Sequence, residues 1–343
     1  MADNKYPKVT IAVPTYNGKE YLRETVESLL NQNYQNFEIL IVDNCSDDGT
    51  EEMIHELQRM HGKTLIYSKN EKNLGPCGNW NRCLEMATGK YITIFHADDI
   101  YEKNIISKEV EFLERYENCV AVFTAADLIS STGKNIGERE RPTRFKSDII
   151  THKDLLYFCI DEGYEPLICP TFMARIDIIK KCGFFDCKNF RYAFDMDYYF
   201  RLFEWGNIGF LKDKLIRYRQ HILQGSFVFN NVRNTQTEFF MIVKLEIAKI
   251  GMKLEKTKMK KLETYEKWGK IADALEYARA GKTREAMELT KQSLKFNDAL
   301  ISFPSLKIIA RTAFVIAFLT AQKLKLGKYF SSTVFWYRIR KRA

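Results

Sequence analysis

The sequence predicts an α/β fold in which helices flank a mainly parallel β-sheet, with an α-helical extension at the C-terminal end. Short apolar segments alternate with longer amphipathic segments over roughly the first hundred residues. The short segments are apolar at nearly every position, which is typical of strands buried on both faces of a sheet. After about residue 230 glycine becomes rare and Pro304 is the only proline, so this part of the chain is predicted to be helical.

The first predicted strand, 9–13, is rich in β-branched residues and ends before Pro14. Apolar residues recur at helical spacing over 19–31, so a helix is predicted there. The second strand, 37–42, ends at Asp43, and turn-forming residues follow it. The remaining predicted elements are a helix that begins at Thr50, a strand near 65–68, a helix near 78–87 that stops before Gly89, and a strand over 91–95.

Acidic residues follow two of these strands directly. Asp43 ends the second strand, and Asp98 and Asp99 follow the strand at 91–95. In open parallel sheets, ligands bind beyond the carboxyl ends of the strands. These carboxylates are therefore predicted to face one crevice, although a turn or capping aspartate would show the same pattern.

The Asp98–Asp99 pair has no Cys/His cluster around it in the sequence, which favours a hard divalent cation, Mg²⁺ or Mn²⁺, as its ligand. Mg²⁺ commonly bridges carboxylates to substrate phosphates, so a diphosphate is the expected partner. The chain has no GxxxxGK[ST] motif, and PTYNG, rather than GxGxxG, follows the first strand. A nucleotide would thus be held by side chains and metal instead of a glycine-rich loop.

The cysteines show no recognisable pairing pattern. All eight are scattered between 45 and 187, and none forms a CxxC pair. Reduced thiols in a cytoplasmic protein are therefore predicted. The first ten residues contain no apolar run, so no secretory signal is expected.

Six motifs occur in a fixed order along the first two thirds of the chain. They are VPTYN (13–17), VDNCSDDGT (42–50), NLGPCGNWN (73–81), GKYITIFHADD (89–99), FDMDYYFRL (194–202) and YRQH (218–221). From about Val9 to His221 the chain thereby resembles the family 2 glycosyltransferases, which have the Rossmann-like GT-A fold. The resemblance implies transfer of a sugar from a nucleotide sugar to an acceptor, with inversion at the anomeric carbon.

The resemblance also assigns residues to the donor site. Asp98 matches the last aspartate of the family's DXD motif, which binds metal and diphosphate. His221 matches a histidine that can ligate the metal or contact the diphosphate; a loop histidine on the surface is the alternative. His96 replaces the first DXD aspartate; it either points into the site or packs beneath it. The residues implied to bind the nucleotide sugar are Pro14, Thr15, Asn17, Asp43, Asn73, Asn79, Asn81, Asp98 and Asp99.

Asp195 matches the family's catalytic base, with Phe194 where glutamate is commoner. Such a base takes the proton of the acceptor hydroxyl from within about 3 Å. The resemblance places Pro170 and Thr171 at the acceptor, while Asp197 either binds acceptor or caps its helix. Arg217 and Arg219 either neutralise phosphate or flank a strand.

The predicted domain organisation is a catalytic domain over 1–229, with a nucleotide-sugar half at about 1–100 and an acceptor half at about 101–229, and a helical region over 230–343. Within that region, 265–294 resembles one tetratricopeptide-type hairpin with Gly281 at its turn. A single such unit cannot build a solenoid. A hairpin packed on the catalytic domain is favoured over a protein-recognition repeat.

Charge separates the two regions. From residue 230 onward there are 24 Lys/Arg and 10 Asp/Glu, whereas the first 229 residues have 29 and 34. Nine Lys/Arg and no acid follow Asp298, and the apolar stretch 308–321 is too short to span a membrane. With the aromatic residues at 335–337, this tail suits an anionic membrane surface. Docking on the catalytic domain is the alternative, and nucleic acid is disfavoured because the front half is acidic.

The protein is predicted to be an inverting, metal-dependent glycosyltransferase. Its donor is a nucleotide sugar, and a UDP-sugar is expected. Its acceptor would be a glycan or lipid-linked molecule in surface polysaccharide synthesis, at the inner face of the membrane. Two alternatives stay open from sequence. One is a catalytically inactive nucleotide-sugar-binding scaffold, and the other is a sugar nucleotidyltransferase, which would need a phosphate loop that PTYNG does not provide.

Overall fold

The computed structural model of the chain describes residues 6–221, 224, 235–293, 317–318, 320–321, 326–329 and 331–333. The chain divides into two compact units: unit 1 consists of Met1–Leu155 and Pro166–Gln220, and unit 2 consists of Leu156–Glu165 and His221–Ala343. The main boundary therefore lies at 220/221, near the predicted 229/230. Inclusion of 156–165 in unit 2 was not predicted, because the helix at His152–Glu162 runs through that boundary without a break in the sequence pattern.

The first part of unit 1 confirms the predicted alternation of strands and helices. Four strands form an entirely parallel group in the order β3-β2-β1-β4. Strand interiors are buried on both faces, as their continuous apolar sequence predicts. In chain order the elements are β1 (Val9–Thr15), α1 (Lys19–Leu30), β2 (Phe37–Asp43), α2 (Thr50–His61), β3 (Leu65–Lys69), α3 (Gly75–Met86) and β4 (Tyr91–Ile94).

Beyond β4 the sheet becomes mixed. Its order continues β4-β9-β6-β10-β5, with β9 antiparallel to both of its neighbours and β10 parallel to β6. Two short strands, β7 and β8, pair with β6 and β10 respectively. The elements are β5 (Ile100–Tyr101), α4 (Ile105–Arg115), β6 (Cys119–Ser130), β7 (Asn135–Arg139), β8 (Ile149–Ile150), α5 (His152–Glu162), β9 (Phe172–Arg175), α6 (Ile176–Cys182), α7 (Phe194–Leu202) and β10 (Asn207–Gln220).

The carboxyl ends of β1 and β2 lie side by side. Thr15 pairs with Asp43 in the parallel register, and the N–H of Asn44 donates to the carbonyl of Thr15 at 2.8 Å. β4 is the other neighbour of β1, and its register places Ile94 opposite Ala12. The loops after these three strands therefore begin at the same edge of the sheet, which is the edge where the sequence predicts a crevice.

Unit 2 is helical in its described part, as predicted. Its helices are α8 (Thr235–Lys249), α9 (Lys256–Arg279) and α10 (Thr283–Ser293). The predicted hairpin is confirmed over its described residues, and Gly281 adopts the left-handed conformation (φ +80°) at the turn between α9 and α10. Its core contains Ala274, Leu275, Ala278, Ala286 and Phe318.

Most of the predicted basic tail, including the aromatic residues at 335–337, lies outside the described residues. Within the described ranges, no helix combines the length and the apolar character that crossing a membrane requires. The interaction of the tail with a membrane stays a prediction.

The expectation that every cysteine is a reduced thiol is wrong. Cys77 and Cys187 form a disulfide between α3 and the loop that precedes α7, and the other six cysteines are not in disulfides. These two residues are 110 positions apart, so no local spacing indicates the pair. Only the tertiary fold brings the start of α3 next to this loop.

Candidate active site

Asp43 is held entirely by protein groups at the end of β2. Its Oδ1 accepts hydrogen bonds from the N–H (2.9 Å) and the hydroxyl (2.5 Å) of Ser46, and its Oδ2 accepts one from the Tyr67 hydroxyl (2.7 Å). The residue has no exposed surface. Burial and the Asp43 carboxylate together raise the pKa of Tyr67, which keeps that hydroxyl protonated as a donor. Direct contact between Asp43 and the base of a nucleotide would require Ser46 or Tyr67 to move.

The predicted asparagines form a hydrogen-bond network that shapes the loop after β3. Asn44 donates to the side chain of Asn73 at 2.8 Å and accepts from the N–H of Leu74 at 2.8 Å. Asn79 donates to the carbonyl of Val42 at 2.9 Å and accepts from Asn70 at 2.8 Å. In this structure Asn73 and Asn79 hold the loop in place. Their contact with a nucleotide stays a prediction.

The segment after β1 offers an exposed ring that sequence reasoning missed. Asn17 accepts from the N–H of Asp47 at 3.0 Å, and its own N–H donates to Ser46 at 2.8 Å, so it fixes the neighbouring loop. Tyr16, between Thr15 and Asn17, is 53% exposed. An exposed aromatic ring can stack on a nucleotide base. The signal that could have indicated Tyr16 is its place in VPTYN, beside the predicted Pro14 and Thr15.

Three potential metal ligands converge after β4. One donor atom from each of His96, Asp98 and Asp99 lies within 4.8 Å of the other two. Nε2 of His96 and Oδ2 of Asp99 are both buried and have no hydrogen-bond partner among the described residues. Buried polar atoms are normally satisfied. The donor set therefore fits a divalent cation, with one imidazole and two carboxylates as its ligands.

The electrostatics of this loop agree with that fit. Burial lowers the pKa of His96, which favours the neutral imidazole that ligates metals. Burial and then the adjacent Asp98 raise the pKa of Asp99 well above its usual value. Two neighbouring carboxylates are costly in a buried loop unless a cation compensates their charge. His96 therefore lies near Asp98 and Asp99 and also packs on Trp80, and its role as a metal ligand stays a prediction.

Trp80 connects this loop with the helix of the predicted base. Its ring centroid lies 5.5 Å from that of His96 and 5.1 Å from that of Phe194. Phe194 is buried, at 6% exposure, and also contacts Phe185. The phenylalanine that replaces glutamate before Asp195 is thus an anchor for the start of α7. Trp80 is part of the NLGPCGNWN motif, but no local pattern in the sequence indicates this bridging position.

Asp195 lies in the first turn of α7, half-buried. Its Oδ1 accepts from the N–H of Met196 at 2.8 Å. Asp197 forms an ion pair with Arg201 (2.9 Å), which also donates to the carbonyls of Cys182 and Phe184. Asp197 therefore helps to tie α7 to the end of α6. Its predicted contact with an acceptor stays a prediction.

Asn81 of α3 holds the loop before α7 in place. Its amide donates to the carbonyl of Phe185 at 3.0 Å and accepts from the N–H of the same residue at 2.8 Å. The Cys77–Cys187 disulfide joins the same two segments covalently. Together these contacts attach the loop that leads to Asp195 to α3, which belongs to the nucleotide-sugar half. This attachment is the observed role of Asn81.

The structure does not support Pro170 and Thr171 as acceptor contacts. Both are buried, and Thr171 has no exposed surface. The Thr171 hydroxyl donates to the carbonyl of Ile168 at 2.7 Å and accepts from the N–H of Thr124 at 3.0 Å. An acceptor cannot reach this side chain in the described conformation. His221 is half-buried and begins the second segment of unit 2, and its role as metal ligand stays a prediction.

A family model described as glycosyl transferase family 2 matches residues 10–181, which is half of the chain. This chain belongs to glycosyl transferase family 2. The match begins one residue into β1 and includes β2 to β4, α3 and the His96–Asp99 loop. The family assignment confirms the resemblance on which the predicted site residues were based.

Curated relatives agree with this family. An uncharacterized glycosyltransferase of Haemophilus influenzae is 28% identical over 231 residues, which are 66% of this chain and 70% of that protein. The putative teichuronic acid biosynthesis glycosyltransferase TuaG of Bacillus subtilis is 32% identical over 131 residues, 38% of this chain and 51% of TuaG.

Among solved structures, residues 1–349 of Staphylococcus aureus TarS in complex with UDP-GlcNAc resemble this chain with a TM-score of 0.59 and 18% identity. The likeness covers 96% of this chain and 91% of the TarS chain. It shows a shared fold. As a family 2 member, the protein is a glycosyltransferase with the GT-A fold, a mixed sheet flanked by helices and a helical C-terminal region.

Proposed function

We propose that this protein transfers a sugar from a UDP-sugar to a glycan or lipid-linked acceptor, with inversion, in surface polysaccharide synthesis. One observation carries this proposal: His96, Asp98 and Asp99 converge at the carboxyl edge of the sheet. Trp80 joins this cluster to the helix of Asp195. The UDP-GlcNAc bound to TarS and the biosynthetic role in the name of TuaG support the donor and the pathway class.

On the donor side, His96, Asp98 and Asp99 would hold Mn²⁺ or Mg²⁺. A cation there supplies positive charge that stabilises the departing diphosphate. Pro14, Thr15 and Asn17 lie along the nucleotide in this proposal, and the exposed ring of Tyr16 stacks on its base. Asp43 supports that pocket through Ser46 and Tyr67, since its own side chain is buried.

On the acceptor side, Asp195 acts as general base. It takes the proton of the attacking hydroxyl, whose oxygen displaces the diphosphate from the anomeric carbon, so that configuration inverts. The half-buried position of Asp195 lets it meet a substrate. The contacts of Phe194 with Trp80 and Phe185 hold the start of α7 in a defined position.

A donor panel tests the activity. Purified protein is incubated with a set of UDP-sugars and Mn²⁺, and release of UDP is measured alongside calorimetric binding of UDP. Slow hydrolysis of one donor, or its transfer to an acceptor, is expected. Binding of UDP without turnover of any donor, even with acceptors supplied, would favour a nucleotide-sugar-binding scaffold. Absence of both would exclude the proposal.

Asp195→Asn tests the base. The amide cannot accept the proton, so we expect transfer to fall by at least about 10²-fold while UDP binds as in the wild type. Asp177→Asn, at an exposed carboxylate of α6, serves as the control. Normal transfer by Asp195→Asn would show that another group is the base.

A further inference from the structure

Arg219 lies near the end of β10 and contacts the loop that carries Asp98 and Asp99. It is only 2% exposed. A guanidinium is costly to bury unless its charge and donors have partners. The identity of these partners therefore shows what the side chain does.

The guanidinium is matched within unit 1. Its Nε donates to the carbonyl oxygen of Asp98 at 2.8 Å, and Nη1 donates to the carbonyl oxygen of Ser131 at 3.1 Å. Nη2 forms an ion pair with Glu24 of α1 at 2.5 Å, and the ring of Tyr21 lies 4.7 Å from the guanidinium carbon. Arg219 thus directs its donors at its own chain, so the alternative that it neutralises a substrate phosphate is not supported.

The backbone of Arg219 reaches the second carboxylate. Its N–H donates to Oδ1 of Asp99 at 2.7 Å. On the other side, the hydroxyl of Thr25 donates to the carbonyl oxygen of Asp99 at 2.7 Å. β10 and α1 therefore hold both ends of the Asp98–Asp99 pair. One oxygen of Asp99, Oδ2, is left without a partner in the described part of the chain.

We propose that Arg219 is a positioning residue that fixes the Asp98 and Asp99 carboxylates in the arrangement that binds the divalent cation. The inference rests on the proposed function. Adjacent carboxylates repel each other, so without a fixed backbone they turn apart and no longer share a cation. Arg219 opposes this movement because one residue holds the carbonyl of Asp98 and the side chain of Asp99 together.

Arg219→Lys tests the inference in the full-length protein. Lysine keeps the charge but replaces the planar five-donor fork with one ammonium group, which cannot reach Asp98, Ser131 and Glu24 together. The matched control is Arg141→Lys, since Arg141 is a buried arginine of the same unit, with a side chain 4% exposed, that pairs with Asp148 at 2.9 Å instead. Mn²⁺ affinity is measured by electron paramagnetic resonance, and stability by thermal unfolding.

We expect Arg219→Lys to weaken Mn²⁺ binding at least tenfold, and Arg141→Lys to change it less than twofold at a comparable loss of stability. Glu24→Gln, at a carboxylate that is 54% exposed, should fold normally and weaken Mn²⁺ binding by a smaller factor. Unchanged Mn²⁺ affinity in both Arg219→Lys and Glu24→Gln, or an equal loss in Arg141→Lys, would overturn the inference alone. A wild-type protein that binds UDP-sugar but no Mn²⁺ would overturn it together with the metal-dependent function.

Discussion

Glu109 is a buried acid in α4, away from the candidate site in sequence. It has no exposed surface, and neither carboxylate oxygen has a hydrogen-bond partner among the described residues. Burial raises its pKa well above the usual value, because nothing compensates the charged form. It shares the buried face of α4 with Ile106 and Leu113 at helical spacing. The folded protein therefore keeps the proton of Glu109 to a higher pH than the unfolded chain does.

Glu109→Gln should remove a pH dependence of stability. The unfolded state loses the proton of Glu109 above about pH 4.3, whereas the folded state keeps it. Between about pH 4.3 and the folded-state pKa, the free energy of unfolding of the wild type therefore falls by roughly 1.4 kcal/mol per pH unit. Urea unfolding of the two proteins from pH 4 to 8 measures the difference, which should grow with pH in favour of the glutamine variant. Glu111→Gln, at a 67% exposed side chain of the same helix, should not reproduce it.

We predict that His96 influences the choice of metal at the candidate site. Imidazole suits transition metals, whereas Mg²⁺ prefers oxygen ligands. We expect the wild type to prefer Mn²⁺ over Mg²⁺, and His96→Asp to reduce that preference by about tenfold, or ~1.4 kcal/mol. Calorimetry with each metal in the presence of UDP measures the ratio. His55→Asp, on the exposed part of α2, is the control, and an unchanged ratio in His96→Asp would exclude His96 as a ligand.

At the residue scale, sequence motifs located the site better than they assigned roles within it. Asp98 and Asp99 were predicted as ligands and lie in the converging cluster. Thr171 was predicted to meet acceptor and is buried, since a motif shows which residue is present but not which way it faces. For Arg219 the sequence cannot decide between neutralising phosphate and flanking a strand, because its partners come from three distant segments.

At the scale of elements, α3 and the loop before α7 are joined twice. The Cys77–Cys187 disulfide is one link, and the paired hydrogen bonds between Asn81 and Phe185 are the other. α3 also carries Trp80, which contacts His96 and Phe194. α3 therefore contacts both the loop that carries His96 and the segment in which α7 begins.

Reduction of the disulfide should destabilise the protein. A crosslink that closes a loop of 110 residues restricts the unfolded chain, and native disulfides typically contribute about 2–5 kcal/mol. Cys187→Ser and reduced wild type should both unfold at lower denaturant concentration than oxidised wild type, and Cys45→Ser should not. Thiol titration of the unfolded, unreduced protein checks the bond: six reactive thiols are expected, and eight would show that it does not form.

At the scale of the whole molecule, the charge distribution distinguishes the two ends of the chain. The 24 Lys/Arg and 10 Asp/Glu from residue 230 onward contrast with the acidic excess before it. Basic residues near an anionic membrane surface contribute about 1 kcal/mol each. This arrangement supports the prediction that the C-terminal region attaches the enzyme to a membrane where a lipid-linked acceptor is available.

Replacement of Lys323, Lys325 and Lys328 by glutamine should weaken vesicle binding by roughly 100-fold, from about 1 kcal/mol for each lost charge. Co-sedimentation with phosphatidylserine-containing and neutral vesicles measures it, and binding should decrease with salt. The same change at three exposed lysines of unit 1, Lys103, Lys134 and Lys146, provides the control. Equal binding by the tail variant would favour docking of the tail on the catalytic domain.

The sequence by itself determined the fold class, the elements from β1 to β4, the helical hairpin and the family. These features follow from local patterns: runs of apolar residues, helical spacing and short ordered motifs, all of which act between neighbours in the chain. It also located the loop of Asp98 and Asp99, because parallel strands end at one edge of the sheet.

Tertiary structure alone decided the insertion of antiparallel β9 beside β4, the Cys77–Cys187 bond, the bridge through Trp80 and the partners of Arg219. Each of these joins segments that are far apart in sequence, from roughly 15 residues to more than a hundred. Their energies depend on burial and on the direction of single side chains. Burial and side-chain direction are defined only in the folded chain. These contacts therefore cannot be predicted from a local sequence pattern.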